Sequence, residues 1–145
     1  MKLKKRKGSL MLEVLCSLMI ISIFFSYFIT ILLENLKVKK YVEIKDNYCR
    51  ILEAVAIELQ YNTAYSKISE MKTSGMIYIP KENLKFETLE KEDITNCFTN
   101  KVQLEKPFVY IDIIQDKVMF LKAKMVFEFL NKEEYIECDF YKGNY

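Results

Sequence analysis

Few side chains in this 145-residue chain could do chemistry. Histidine is absent, which removes the commonest general base and the commonest metal ligand of proteins. The four cysteines form no CxxC or similar ligand pair, so we expect no zinc site. They are Cys16, Cys49, Cys97 and Cys138.

Carboxylates also cluster in one short segment, but lysines interrupt the cluster. A solvated loop of mixed charge is therefore favoured over a calcium or catalytic site. The acidic residues are Glu87, Glu90, Glu92 and Asp93, and the lysines are Lys85 and Lys91. Since the sequence also lacks a DxDxDG-like calcium loop and a Gly-rich phosphate loop, we expect no enzyme, cofactor or bound metal.

One further carboxylate is distinguished by its surroundings. Glu13 lies at the start of an apolar stretch, and no charged residue occurs in the 20 positions from Val14 to Leu33. A carboxylate near hydrocarbon costs up to ~3 kcal/mol on insertion scales, and less near the interface. Glu13 therefore either has a specific partner or lies at headgroup depth beside Arg6 or Lys7. The residues alone leave both alternatives open.

The apolar stretch itself has the length of a transmembrane helix, since about 20 residues cross ~30 Å of hydrocarbon. No small-x-small cleavage site follows it, so the segment is predicted to stay in the lipid bilayer. Five positive charges precede it, and the positive-inside rule favours a single-pass orientation with the C-terminus outside the cytoplasm. They are Lys2, Lys4, Lys5, Arg6 and Lys7.

The basic character of the chain belongs to this N-terminal cluster. Beyond residue 8 the chain has 17 basic and 20 acidic residues. The mild overall positive charge is therefore no argument for nucleic-acid binding, and no nucleic-acid partner is predicted.

The segment from Lys4 to Leu15 resembles the class III signal of type IV prepilins and pseudopilins. In that family a short basic leader ends in glycine, a prepilin peptidase cuts after it, and a glutamate occupies the fifth mature position. The resemblance implies cleavage between Gly8 and Ser9, N-methylation of Ser9, and Glu13 as the fifth mature residue. It covers about the first 30 residues of the chain.

The resemblance also gives Glu13 a partner, namely the N-terminal amine of a neighbouring subunit in a filament. Such a buried ion pair can fix register. The implied partners are other pilins or pseudopilins, the prepilin peptidase and an assembly platform protein. The implied systems are a type IV pilus (a fimbrium), a competence pilus or type II protein secretion, in which the processed chain moves from the cytoplasmic membrane to a surface filament.

Two departures from the family pattern favour a minor component over an abundant fibre subunit. Ser9 stands where the family usually has phenylalanine, and no glycine or proline interrupts the chain from Ser9 to Ser74. The alternative function is a single-pass, membrane-anchored sensor or binding module with an uncleaved N-terminus. An anchored surface enzyme would need catalytic groups that the sequence does not offer.

The helical pattern continues beyond the apolar stretch. An apolar stripe recurs at three- and four-residue steps, opposite a charged face, so one helix is predicted from Ser9 to Tyr61. The stripe consists of Tyr41, Ile44, Tyr48, Leu52, Val55 and Leu59. Its tyrosines are interpreted as core residues. A helical turn at Tyr65–Met71 and a loop at Thr73–Gly75 follow.

Later segments alternate as half-buried strands do. The predicted strands are Met76–Ile79, Leu84–Leu89, Phe108–Ile114, a bent strand or pair within Lys117–Phe129, and Tyr135–Tyr141. Turns are predicted at Gln115–Asp116 and Asn131–Glu133. The resulting fold class is α+β, a long helix packed on a small antiparallel meander.

The predicted organisation is a leader (1–8), a transmembrane helix (9–33), an amphipathic continuation (34–61) and an α+β head (62–145). In an exported head, Cys97 and Cys138 could form a disulfide that closes a loop of about 40 residues. The alternative is that both are buried thiols. The odd count that Cys49 leaves favours the thiols slightly.

Overall fold

The computed structural model describes residues 6–75, 77–85, 93–102, 105–115 and 118–143. The described chain separates into two compact units, Met1–Glu43 and Ile44–Tyr145. Lys4 and Lys5 of the predicted leader lie outside the described residues. The boundary falls within the predicted amphipathic segment, 34–61.

Helix α1 spans Arg6–Ile57 and continues into a π-helical turn at Glu58–Asn62. The predicted helix over Ser9–Tyr61 is therefore confirmed. Its continuity follows from composition, because no helix-breaking glycine or proline lies between Ser9 and the end of the helix. The π turn closes where Thr63 donates both its N–H and its hydroxyl to the Glu58 carbonyl, at 2.9 and 3.0 Å.

Helix α2 spans Tyr65–Ser74, three residues beyond the predicted turn. Thr73 and Ser74, predicted as loop, belong to the helix, and their hydroxyls donate to the carbonyls of Ser69 and Glu70. Gly75 ends the helix in the left-handed region, at φ 70°, where a side chain would be strained.

Four antiparallel strands form one sheet in the order β1-β2-β3-β4. They are β1 (Tyr78–Ile79), β2 (Phe108–Gln115), β3 (Met119–Phe129) and β4 (Lys132–Lys142). The predicted α+β class and meander are confirmed, and β3 is one long strand. At the predicted strand Leu84–Leu89, Leu84 and Lys85 are not extended into the sheet, and residues 86–89 lie outside the described residues.

The turn between β3 and β4 is shorter than predicted. Leu130 and Asn131 both have positive φ, 51° and 61°, which a two-residue type I′ turn requires. Such a turn places Phe129 directly opposite Lys132. Lys132 and Glu133, predicted as turn, therefore belong to β4. In the other predicted turn, Gln115 ends β2 and Asp116 lies outside the described residues.

The core of the second unit lies between the helix and one face of the sheet. From Leu52 onward the predicted stripe is buried, and its earlier members are half-buried. The Tyr48 ring packs against Phe127 with centroids 5.0 Å apart, and burial raises the pKa of the Tyr48 hydroxyl. This tyrosine is therefore part of the packing, as predicted. The sheet contributes Val109, Ile111, Leu121, Ala123, Met125 and Phe127.

Candidate functional site

The predicted processing site lies near the first described residues of α1. Gly8 and Ser9 follow Arg6, where the described part of the helix begins, and Glu13 comes four residues after Ser9. A separation of four residues is about one helical turn, so Ser9 and Glu13 occupy the same side of the helix at successive turns. The helix geometry therefore places the predicted new N-terminus and the carboxylate within ~6 Å along the axis.

The Glu13 carboxylate is exposed on an apolar surface. Leu10, Leu12 and Val14 around it are all more than half exposed. Among the side chains that the structure describes, which begin at Leu10, Glu13 forms no ion pair. A charge on such a surface is tolerated in water, but it is costly in hydrocarbon unless a partner compensates it.

The rest of this helical segment has the features of a membrane span. α1 contains a window of mean hydropathy 2.4, none of it buried, so its length and composition suffice to cross a bilayer. Its serine and threonine hydroxyls beyond Leu10 are internally satisfied. Each donates to the carbonyl four residues earlier, at 2.8 to 3.0 Å, which offsets the cost of a hydroxyl in an apolar medium. The donors are Ser17, Ser22, Ser26 and Thr30.

An aromatic groove runs along the same segment. Phe24, Phe25 and Phe28 line a shallow apolar depression together with Ile21. Phe24 is 69% exposed in the described chain. Such a surface is stable against lipid or against another apolar helix, and it would be unfavourable in water.

The two cysteines for which a disulfide was one of the two predictions, Cys97 and Cys138, are not bonded to each other in the structure. Cys97 is buried in a 3₁₀ turn at Ile94–Cys97, and Cys138 is half-buried in β4. Burial raises the pKa of the Cys138 thiol, with smaller contributions from Asp139 and Glu53. A raised pKa lowers the thiolate fraction, so Cys138 is a weak nucleophile. Cys16 and Cys49 are exposed.

Of the four clustered acidic residues, only Asp93 belongs to the described part of the chain. Asp93 accepts hydrogen bonds from the Thr95 hydroxyl at 2.8 Å and from the Lys67 ammonium at 2.6 Å. It therefore caps the following 3₁₀ turn and ties it to α2. Glu87, Glu90 and Glu92 lie outside the described residues. Elsewhere in the described ranges, no three potential metal-ligating side chains come together.

Lys142 was not predicted to have a role. It is 7% exposed, and its ammonium donates to the Gln60 carbonyl at 2.5 Å. The π turn and the last residue of β4 are thereby joined. The alternation of residues along β4 could have predicted the burial of Lys142. Phe140 and Lys142 are two positions apart, so both face the side of the sheet that packs on the core. A lysine at such a position needs a partner.

Comparison of the chain with profiles of known protein families, with curated proteins and with solved structures finds no match. The functional interpretation therefore depends on the residues and geometry of the chain itself.

Proposed function

We propose that this chain is a minor pilin or pseudopilin, a non-enzymatic subunit that packs helix to helix in a type IV pilus, a competence pilus or a type II secretion filament. The observation that supports this proposal most strongly is a combination of three features: a basic leader, Gly8, and Glu13 at the start of an unbroken apolar helix. Each part alone is common, whereas their joint spacing is specific.

The fold is compatible with this proposal. A long apolar N-terminal helix leads into a small α+β unit, as a membrane-anchored assembly subunit requires. The exposed position of Glu13 on an apolar surface also supports it, because an intermolecular amine would remove the cost of carrying that charge into an apolar environment. In the proposed filament, the Ser9 amine of a neighbouring subunit supplies this charge.

Processing is the step that separates the proposal from its rival. Gly8 lowers helix stability by about 1 kcal/mol relative to alanine. Local unwinding of the Gly8–Ser9 bond for a peptidase would therefore cost less than unwinding at the better helix formers that follow it. A membrane-anchored sensor or binding module would have no need for such a site.

The test is the intact mass of the chain extracted from membranes of cells with and without an active prepilin peptidase. We expect the loss of residues 1–8 only with the peptidase, and retention of the whole chain in the Gly8→Leu variant. An additional methyl group on the processed chain would indicate N-methylation of Ser9. An unprocessed chain in the presence of active peptidase would contradict the proposal and favour the anchored sensor.

The same preparation tests the role of Glu13. Glu13→Gln keeps the size of the side chain and removes its charge. We expect the variant to be inserted and processed normally but to be lost from sheared filaments. Glu34→Gln, beyond the apolar stretch, is the matched control and should be incorporated normally. Equal incorporation of both variants would remove the assembly role from Glu13.

A further inference from the structure

The face of the sheet directed away from the core carries an ordered array of charges. Asp112, Lys122 and Asp139 are neighbours across β2, β3 and β4 in one row. In the adjacent row Lys124 lies opposite Glu137, with 3.1 Å between the ammonium and the carboxylate. Charges thus alternate across the sheet, and both rows end at β4 with an acid.

Aromatic side chains flank these two rows. The Tyr141 ring packs against Phe120 in a tilted arrangement, at a centroid distance of 5.1 Å, beyond Asp139. At the other end the Lys124 ammonium lies 3.7 Å over the ring of Tyr135. The outward face of β4 therefore presents an aromatic residue, two acids and a second aromatic residue, at alternate positions.

The backbone of β4 is open along its outer edge. In a two-residue hairpin the residues that flank the turn form a hydrogen-bonded pair, so Lys132 and every second residue after it bond to β3. The intervening residues direct their N–H and C=O groups outward. They are Glu133, Tyr135, Glu137, Asp139 and Tyr141. Among the residues that the structure describes, these groups have no backbone partner.

The opposite edge of the sheet is closed. β1 has only two residues, and Pro80 follows it. Tyr78 exchanges two backbone hydrogen bonds with Thr99, at 3.1 and 2.7 Å, so its outer side is already occupied. β4, in contrast, has 11 residues in unbroken register, without a bulge or a proline. Long regular edges of this kind template the addition of another strand.

The inner face of β4 is incompletely covered. Met125 and Ala123 on β3 are fully buried, whereas their β4 partners, Ile136 and Cys138, are only half-buried. An added strand would cover these two side chains if its inward positions were apolar. This requirement comes from burial and is independent of the charge array.

We propose that β4 binds an extended segment of a different protein as a fifth strand. The segment carries lysine or arginine at two alternate positions, opposite Glu137 and Asp139, and apolar residues at the inward positions between them. Both carboxylates remain accessible, with side chains 39% and 48% exposed, although each already faces a lysine of β3. A second copy of β4 is unsuitable, because acids would then face acids across the pair.

Each part of the surface would have a separate role in this complex. Backbone hydrogen bonds supply affinity along the edge, and the cations continue the alternating rows. A slip of one residue would move the cations to the apolar inner face, so the charges also fix the register. This inference does not depend on cleavage at Gly8.

The probe is a nine-residue peptide that alternates valine with lysine or arginine, added to the full chain in neutral detergent micelles. We expect amide exchange to slow at the five outward-bonding residues of β4. The Glu137→Lys/Asp139→Lys variant should bind the peptide at least tenfold more weakly, and should instead bind a peptide with glutamate at the cationic positions. The control Glu70→Lys/Glu82→Lys has the same change in net charge and should alter affinity less than twofold.

A second pair of variants separates the backbone from the charge. Glu137→Pro removes one outward N–H at a position that does not bond to β3, where an edge strand tolerates proline, and Glu137→Gln removes the same charge but keeps the N–H. We expect Glu137→Pro to bind the peptide at least tenfold more weakly than Glu137→Gln, with the near-ultraviolet circular dichroism of the head unchanged in both. The proposal is overturned if Glu137→Lys/Asp139→Lys and its control bind equally, if Glu137→Pro and Glu137→Gln bind equally, if binding leaves the β4 amides unprotected, or if the chain alone dimerises through β4.

Discussion

Two segments of helix α1, Leu10–Leu33 and Ile51–Ile57, are built from similar residues. They differ in the exposure of their apolar side chains. In the first segment every large apolar side chain is at least 39% exposed. In the second, Leu52 and Val55 are at most 1% exposed, and the one charged residue, Glu53, is exposed on the other side of the helix. The distribution around the helix, rather than the amount of apolar surface, distinguishes them. A helix that is apolar all round needs an apolar solvent, whereas a stripe needs only one packed neighbour.

The largest expected effect comes from placing charge on the first segment. Ile20→Lys/Phe24→Lys puts two ammonium groups on one face of the apolar segment, at about 2.5–3.5 kcal/mol each on insertion scales. We expect most of this variant to be released from membranes by alkaline carbonate, whereas the unmodified chain stays in the pellet. Carbonate extraction followed by immunoblotting measures the two fractions.

The matched control for this variant is Glu53→Lys/Ile57→Lys, an exposed pair with the same spacing on the second segment. It should remain in the membrane fraction, because these positions face water in the head. Full membrane retention of Ile20→Lys/Phe24→Lys would contradict the interpretation of Leu10–Leu33 as a span.

A smaller effect is expected from removing one apolar side chain from each segment. Leu52→Ala leaves a cavity against the sheet and should lower the free energy of unfolding of the head by about 2–5 kcal/mol. Leu32→Ala, which is 46% exposed, should change it by about 0.5 kcal/mol or less. Urea unfolding of the full chain in mild detergent, followed by tyrosine circular dichroism, gives both values. Equal effects would mean that the two segments share one cooperative core.

Features with a local periodicity could be predicted from the sequence. The long helix follows from the absence of breakers and from the Leu52–Val55–Leu59 stripe, and β2 and β3 follow from alternation. The end of the apolar stretch is set by Glu34. In each case the deciding physical quantity, burial or solvation of one face, repeats along a short segment.

Features that depend on register could not be predicted in the same way. The rows that join Lys122 to Asp139 and Lys124 to Glu137 exist only because the Leu130–Asn131 turn is two residues long. A turn of three residues, as predicted, would have displaced every pair. The bond from Lys142 to Gln60 connects residues 82 positions apart. Distant contacts of this kind leave no local pattern beyond the inward position of Lys142.

The candidate site shows the same division. The spacing of Gly8, Ser9 and Glu13 is local, so it could be recognised from sequence alone. The open edge of β4 required the turn, the register and the burial of Ile136 and Cys138 together, and no single segment contains that information.

The smallest expected effect concerns two carboxylates, one from each unit. Glu13 has no ion pair among the side chains described from Leu10 onward, whereas three donor groups of Lys67 and Thr95 surround Asp93. The Lys67 ammonium, followed by Thr95, lowers the pKa of Asp93 from 3.8 to about 2. Because the charged form is favoured in the folded chain, its stabilising contribution is fully present above the ordinary pKa. It is lost as the pH falls through about 2.

Carboxyl carbon NMR shifts, followed from about pH 5 to about pH 1 across this range, measure the titration directly. Lys67→Met should raise the pKa of Asp93 towards its ordinary value, while the exposed control Lys72→Met on the same helix should leave it unchanged. The Thr95 bonds remain in Lys67→Met, so the return should be partial. Lys67→Met/Thr95→Val should raise the pKa further but not fully, because the backbone N–H of residue 95 still donates to Asp93. An unchanged pKa in Lys67→Met would mean that Asp93 serves only its own turn and does not tie that turn to α2.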